Sequence, residues 1–513
     1  MSGATELAAG PGTGPGTGPG TSPIAVQAAT PASLLTLAGF GADVSDGVVR
    51  VLGVHYGARL DPADRFSALG APSSLRGQSA PTVFPQTPGS LDWLLGPALM
   101  EMPQSEDAFQ INIWAPEGAQ DAPVLVYLPG GAFISGAGTV RWYDGERLAR
   151  EGGCMVVTVN YRLGALAFAA GRDGARNLPV GDILQALRWV RRNIADFGGN
   201  PEDITLAGQS AGAFYAYLLS QLPEAEGLFN RTALLSLAWQ PPLISTEYAE
   251  RCTLFGQSLG EAGSEVQDTG LETVPVDALL QAQGAVSKAY AGRGLGFMPA
   301  AGDEVPADLF DFAAAVRRMH VSSLLLSTTQ DEAAAFLKLL PVAAVGREQL
   351  TGFVAAHFKD VAATLGWLDQ ALPGETDHAK LVEAMTLHQF RLTAVELAEH
   401  ATAAGIATTV ARFDVGSPLE GARSAHCFDV PFVFGNRHQW HDAPMLNGVA
   451  DEVFESAGGE LRSLLLGFVS EGSARTADGS AVAAFDPADP KLHRIGADGT
   501  GTIEPERGLN PRR

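Results

Sequence analysis

The segment Gly208-Gln209-Ser210-Ala211-Gly212 carries the clearest chemical signal in the sequence. An apolar β-type run, residues 204–207, precedes it, and an apolar segment typical of a helix, residues 214–222, follows it. Because glycine has no Cβ, two glycines allow the backbone to pack closely around a strained turn that presents the serine hydroxyl above a sheet edge. The pattern therefore predicts Ser210 as a nucleophile.

The same spacing occurs a second time, at Gly256-Gln257-Ser258-Leu259-Gly260. Here the preceding residues, 248–255, repeat charged and apolar side chains at helical spacing, so no strand leads into Ser258. Leu259 also places bulk where a tight turn requires a small residue. We therefore interpret Ser258 as a serine near a helix end, with Gly260 as a helix C-terminal glycine.

Elements that could position Ser210 are visible around it. Residues 124–128, 155–159 and 204–207 are short, nearly continuous apolar runs, as expected of parallel strands covered on both faces. Residues 183–197 show helical periodicity and end at two glycines. Further runs extend the alternation and predict a large, mostly parallel sheet flanked by helices, an α/β fold; these runs are 234–239, 322–327 and 408–413. Residues 246–296 are interpreted as helices that cap the sheet edge.

Composition excludes several classes of protein. The 513 residues are 46% hydrophobic and 18% charged, which suits a large buried core, and the net charge of −23 argues against nucleic acid or an anionic membrane as a partner. The three cysteines have neither paired nor metal-ligand spacing, which favours a reducing compartment. With no secretory signal and no run of about 18 apolar residues, the expectation is a cytoplasmic protein.

The N-terminus is of low complexity. Gly-Pro-Gly-Thr occurs three times between Gly10 and Thr21, a composition that cannot bury apolar surface. We expect a flexible tail over residues 1–31 and a single domain over residues 32–513.

Several motifs together resemble one family. The motifs are Ser105-Glu106-Asp107, Pro129-Gly130-Gly131-Ala132-Phe133, Asn160-Tyr161-Arg162-Leu163-Gly164-Ala165-Leu166, Ala186-Leu187-Arg188-Trp189-Val190 and Phe197-Gly198-Gly199-Asn200-Pro201. In type and order they resemble those of type B carboxylesterases, the α/β-hydrolase group that includes bacterial para-nitrobenzyl esterases and the cholinesterases. The match covers about residues 47–468. The resemblance implies an α/β-hydrolase fold with helical cap insertions.

A serine nucleophile needs a histidine base, and the histidine needs a carboxylate that orients it, in the chain order serine, acid, histidine. By resemblance the acid is Glu332, which follows the strand 322–327, with the adjacent Asp331 as its competitor. The family usually has glycine after this glutamate, whereas this chain has Ala333.

The base implied by the resemblance is His426, in the segment 425–435. A glycine commonly follows this histidine, but here the residue is Cys427. His438 and His441 are the nearest alternatives.

The resemblance also implies an oxyanion hole made by the backbone amides of Gly131, Ala132 and Ala211. Most relatives have histidine or tyrosine before the glycines, and this chain has Pro129. Because the donor amides lie beyond the proline, we expect the hole to persist with a changed outer support.

Two further sets of residues are candidates. Ser236 resembles the family's second serine near the triad, and a helper role and plain strand packing both remain open for it. Aromatic residues next to the catalytic motifs could form a substrate pocket or belong to the core; they are Phe133, Phe214, Trp239, Phe336 and Phe428.

The resemblance implies a serine carboxylesterase that acts on small-molecule esters through an acyl-enzyme, without cofactor or metal. Amide or carbamate hydrolysis or acyl transfer by the same triad is the alternative, and a non-catalytic cholinesterase-like binding module is a third hypothesis. The native substrate and the oligomeric state do not follow from the sequence.

Overall fold

The computed structural model describes residues 35–72, 77–169, 176–261, 270–338, 340–506 and 508–512. The predicted tail, residues 1–31, lies outside this range. Contacts within the chain group Leu34–Arg513 into one unit.

Within the described ranges, twelve β-strands form one sheet. They are β1 Leu35–Leu37, β2 Phe40–Ser45, β3 Val48–His55, β4 Gln110–Pro116, β5 Ala122–Leu128, β6 Met155–Val159, β7 Gly199–Gln209, β8 Arg231–Leu235, β9 Ser323–Thr329, β10 Ala407–Phe413, β11 Leu492–Gly496 and β12 Gly499–Ile503. The order across the sheet is β1-β2-β3-β4-β6-β5-β7-β8-β9-β10-β11-β12. Strands β5 to β11 are mutually parallel, whereas the strands at both edges of the sheet pair antiparallel.

Helices lie between and after the strands. They are α1 Asp92–Leu95, α2 Glu146–Gly152, α3 Gly164–Phe168, α4 Leu178–Asn193, α5 Ala211–Leu219, α6 Ser245–Glu261, α7 Val276–Tyr290, α8 Phe312–Arg318, α9 Ala334–Leu337, α10 Arg347–His357, α11 Val361–Ala371, α12 Asp377–Thr386, α13 Leu392–Ala403, α14 Val430–Phe434 and α15 Asp451–Glu471. A π-helical turn, Leu387–Arg391, joins α12 to α13.

The central strands are buried because helices cover both faces of the sheet. β6 and β9 are buried at every position, as the continuous apolar runs predict. Two large apolar clusters occupy the two faces: one includes Val126, Leu206 and α5, and the other includes Tyr127, Ala207 and α15. Because the central strands run parallel to one another, their carboxyl ends lie together at one edge of the sheet.

One strand lies earlier in the chain than expected. The apolar pattern predicts a strand over residues 234–239, but β8 spans Arg231–Leu235, and Ser236 adopts a positive φ of 54°. Backbone direction changes there, so the apolar residues after Leu235 continue as a loop rather than as a sheet strand.

Candidate active site

Ser210 lies in the sharp turn between β7 and α5. Its φ of 56° and ψ of −119° are strained for a residue with a side chain. The two flanking glycines make the turn possible: a Cβ at Gly208 would lie 2.3 Å from backbone atoms of Gly212, and a Cβ at Gly212 would lie 2.0 Å from the carbonyl oxygen of Leu128. The spacing of the motif thus follows from how closely strand, turn and helix pack.

Glu332 and His426 form a buried pair beside this turn. The distance from His426 Nδ1 to Glu332 Oε2 is 2.5 Å, and the side chains are 2% and 0% exposed. The other carboxylate oxygen of Glu332 accepts a hydrogen bond from the backbone N–H of Thr329 at 2.8 Å. Glu332 is therefore fixed at the end of β9, where it can orient the imidazole.

The two departures from the family pattern are accommodated differently. Ala333 has a φ of −70°, which any residue adopts without strain. Cys427 has a φ of 72°, in the left-handed region that favours glycine. Cys427 therefore costs backbone strain that a glycine after His426 would avoid.

The alternative acid, base and nucleophile named from the sequence make other contacts. Asp331 faces Arg423 at 3.6 Å and accepts from the backbone N–H of Ser424. His438 and His441 border a separate surface cavity with Arg437. Ser258 lies within α6, remote from any strand-to-helix turn.

Electrostatics raise the pKa values of two groups here. Burial alone would lower the pKa of His426, but Cys427 and Glu332 raise it, and the pKa lies well above the ordinary value. Burial, and then the nearby Glu332 charge, raise the pKa of Asp429 to about 7. Asp429 is fully buried at the start of α14.

The loop after β5 has an unusual backbone. Gly131, Ala132 and Phe133 have φ values of 136°, 52° and 66°, and a Cβ on Gly131 would lie 2.0 Å from the carbonyl oxygen of Ser135. In the described part of the chain, the backbone N–H groups of Gly131, Ala132 and Ala211 donate to no protein acceptor.

Pro129 has a defined support in this loop. The Tyr161 hydroxyl donates to the Pro129 carbonyl oxygen at 2.5 Å. The proline therefore removes one N–H donor but leaves its carbonyl available to anchor the loop.

Two cavities meet at Ser210. We call the first the tryptophan cavity; its volume is about 80 Å³, and its walls include Leu91, Asp92, Leu95, Leu99, Trp142, Tyr143, Cys427, Val430 and Trp440. We call the second the phenylalanine cavity; its volume is about 250 Å³, and its walls include Phe133, Phe214, Ala238, Gln240, Leu295, Met385, Gln389 and Phe390. Ala132, Ser210, Phe336 and His426 line both.

The predicted pocket residues divide into two groups. Phe133 and Phe214 line the phenylalanine cavity, and the half-exposed Phe336 lines both cavities. Phe428 instead packs in the core against Phe413 and Phe432. Trp239, whose ring contacts His388, is not among the residues that line either cavity.

Ser236 is also separate from the cavities. It is fully buried after β8, and its backbone N–H donates to the carbonyl oxygen of Ser327 at 2.7 Å. Its hydroxyl has no hydrogen-bond partner among the described residues.

The sequence interpretation missed several site residues. Trp142 and Trp440 stack with ring centroids 5.0 Å apart and form one wall of the tryptophan cavity. Nothing in the local sequence around either residue indicates this contact. Gln209 was visible inside the motif, but its amide was not predicted to reach His426 Nε2, which lies 3.2 Å from Gln209 Nε2.

The described residues offer neither a metal site nor a membrane-spanning helix. No group of three or more His, Cys, Asp or Glu side chains in that part of the chain could hold a metal ion. No helix there is long and apolar enough to cross a membrane.

The sheet topology and the strained serine turn define an α/β-hydrolase. The solved carboxylesterase EST55 of Geobacillus stearothermophilus has the same fold, with a TM-score of 0.77 at 26% identity over 90% of this chain and 95% of the other. A solved PNB esterase gives a TM-score of 0.75, also at 26% identity, with the same coverage of the two chains.

The family model described as "Carboxylesterase family" matches residues 36–447, and the chain belongs to this family. Phenmedipham hydrolase of Pseudarthrobacter oxydans is 30% identical over 413 residues, which cover 77% of this chain and 80% of the relative. The probable N-octanoylanthranilate hydrolase AqdA2 of Rhodococcus erythropolis is 31% identical over 412 residues, covering 76% and 82%. Para-nitrobenzyl esterase of Bacillus subtilis is 38% identical over 195 residues, covering 37% and 39%. The chain is a carboxylic ester hydrolase, as the sequence predicted.

Proposed function

We propose that this enzyme hydrolyses carboxylic esters of small molecules through an acyl-enzyme on Ser210. The observation that carries the proposal is the buried His426–Glu332 pair, 2.5 Å apart, beside a serine that shares both cavities with the histidine. In this proposal Ser210 is the nucleophile, His426 is the general base and Glu332 orients the imidazole.

Each half of the reaction moves one proton through His426. Ser210 Oγ attacks the ester carbonyl carbon while its proton passes to His426 Nε2, and collapse of the tetrahedral intermediate releases the alcohol, which takes that proton. Water then attacks the acyl-enzyme, gives a proton to Nε2, and the proton returns to Ser210 as the acid leaves.

The oxyanion that forms in both halves needs fixed donors. We assign the backbone N–H groups of Gly131, Ala132 and Ala211 to this role, supported by their lack of protein acceptors among the described residues. Each such donor is worth roughly 3–4 kcal/mol in comparable sites. Positive φ values in the Gly131 loop are consistent with a backbone shaped for this purpose.

The cavities favour an uncharged substrate with apolar groups of unequal size. Both are lined mostly by apolar side chains, and the phenylalanine cavity is about three times larger, at about 250 Å³ against about 80 Å³. We assign the bulkier part of the ester to the phenylalanine cavity. Amides remain a second candidate, because one relative is named for an N-acyl substrate.

The test combines two serine variants with a substrate series. Ser210→Ala should lower kcat/KM on p-nitrophenyl esters by about 10⁴-fold or more, since the acyl-enzyme can no longer form. Ser258→Ala, in the second motif, should retain activity. Retained activity in Ser210→Ala, or a covalent fluorophosphonate found on Ser258, would overturn the proposal. Esters of increasing chain length with matched amides and carbamates would then define the substrate.

A further inference from the structure

The amide of Gln209 lies between the base and the thiol that follows it in the chain. Gln209 is 1% exposed, and its Nε2 lies 3.2 Å from His426 Nε2 and 3.3 Å from Cys427 Sγ. Gln209 is the last residue of β7 and directly precedes Ser210. Its side chain therefore contacts the ring nitrogen that must receive the serine proton.

The protonation of the imidazole determines which end of the amide faces it. In the neutral form of His426, the form that can receive the serine proton, Nδ1 lies 2.5 Å from the Glu332 carboxylate and carries the hydrogen, so Nε2 is an acceptor. Only the NH₂ end of an amide can donate to it, and that group has a second hydrogen for Cys427 Sγ. Both hydrogens of the Gln209 NH₂ group thus have an acceptor.

Gly130 makes room for this arrangement. A Cβ at position 130 would lie 2.4 Å from Gln209 Oε1 and 2.9 Å from the Gln209 carbonyl oxygen. A glycine in the Pro129-Gly130-Gly131 loop therefore allows the amide to pack under the loop with its oxygen away from His426.

We propose that Gln209 is a positioning residue that holds the acceptor nitrogen of His426 when the imidazole is neutral, with Cys427 Sγ as the second acceptor of the same NH₂ group. This inference rests on the proposed serine mechanism. Among the described residues, no hydrogen bond joins Ser210 Oγ to His426 Nε2. Gln209 must therefore release Nε2 before Ser210 can transfer its proton, and Cys427 keeps the released amide hydrogen-bonded.

The arrangement has a consequence for pH dependence. A hydrogen bond donated to the lone pair of the neutral ring favours the neutral form and opposes protonation. The titratable groups that face His426 are Glu332, Cys427 and Asp429. Cys427 and Glu332 favour the imidazolium, whereas the N–H of Gln209 is the donor that favours the neutral ring.

Two substitutions at Gln209 remove or replace its N–H donor and keep a side chain of similar size. Gln209→Met keeps a similar length but has no N–H, so the acid limb of the kcat/KM profile should move up by roughly half to one pH unit. Gln209→Glu places a carboxylate against Nε2, favours the imidazolium and should move the limb further in the same direction. The second variant also tests the inference if the first does not fold.

Gln185→Met is the matched control. Gln185 is a buried glutamine on α4 whose amide donates to the Tyr56 carbonyl oxygen at 3.2 Å, outside both cavities. Loss of the Gln185 amide should leave the acid limb of the kcat/KM profile at the same pH.

The experiment measures kcat/KM of a p-nitrophenyl ester between pH 5 and 9 for the wild-type protein and each variant. A separate sample of the wild-type protein is labelled with a fluorophosphonate to identify the nucleophile. An upward shift in the Gln209 variants alone supports the inference. A lower plateau with an unmoved limb, or an equal shift in Gln185→Met, overturns it while leaving the serine mechanism intact. Failure of the label to reach Ser210 overturns the serine mechanism and this inference together.

Discussion

Four residues with strained backbone conformations lie at and around Ser210. Ser210, Ala132, Phe133 and Cys427 all have positive φ values, and all line one or both cavities. Such conformations cost about 1–3 kcal/mol each and persist only where the surrounding structure imposes them. The packing around Ser210 therefore imposes this backbone at the expense of local stability.

Asp429 is a buried carboxyl whose ionisation opposes folding. Its pKa of about 7 in the folded protein, raised by burial and then by Glu332, exceeds the value of about 4 expected in an unfolded chain. The folded state therefore holds this proton more tightly, and the resulting stabilisation is complete below about pH 4 and is lost as the pH rises to about 7.

Asp429→Asn should consequently stabilise the protein only near and above neutral pH. Asparagine cannot ionise, so the free energy of unfolding should exceed that of the wild type by up to about 4 kcal/mol at pH 8 and by little at pH 4. Urea unfolding at both pH values measures the difference. An equal effect at both would contradict the assignment, and the exposed Asp43→Asn provides the control.

At the scale of elements, the β7–turn–α5 unit distinguishes the two serine motifs. Both have two glycines at the same spacing, but a Cβ at Gly208 meets backbone atoms at 2.3 Å, whereas a Cβ at Gly256 meets nothing within 4 Å. The first pair of glycines is required by packing, and the second pair lies on a helix. The structural surroundings of each motif, rather than its residue pattern, therefore distinguish the two serines.

Gly208→Ala and Gly256→Ala should therefore have opposite effects. The first forces backbone apart and should lower the free energy of unfolding by about 2–4 kcal/mol, with loss of esterase activity. The second removes a flexible residue from α6 and should raise the free energy of unfolding by about 0.5–1 kcal/mol. Chemical denaturation and ester hydrolysis measure both effects. Equal effects would show that the contacts around Gly208 do not decide the turn.

Element boundaries followed the apolar pattern where it was continuous. β6 coincides with its predicted run, residues 155–159, because all five positions are buried. β8 does not, because Ser236 turns the backbone after Leu235. An apolar run indicates that residues are buried, but it does not distinguish a buried strand from a buried loop.

At the scale of the whole molecule, net charge should influence substrate choice. With a charge of −23, the protein attracts cations and repels anions over a distance set by ionic strength. Asp92 is the acidic side chain in the wall of the tryptophan cavity, and burial raises its pKa.

Isosteric p-nitrophenyl esters with cationic, neutral and anionic groups would test this. We expect kcat/KM to be lowest for the anionic ester at low salt, and the difference between the cationic and anionic esters to shrink at 0.5 M salt because the charges are screened. Ratios that do not depend on salt would place the selectivity in local contacts, with Asp92→Asn as the variant that checks them.

The sequence by itself determined the family, the α/β-hydrolase fold and the type of reaction, because these depend on motifs and on local apolar patterns. It also predicted Ser210, Glu332 and His426, whose roles stay part of the proposed mechanism. Only the tertiary structure decided which aromatic side chains line the cavities and that Gln209 reaches His426, 217 positions away in the chain. Local backbone demands leave a trace in neighbouring residues, whereas contacts between distant side chains arise only when the whole sheet packs.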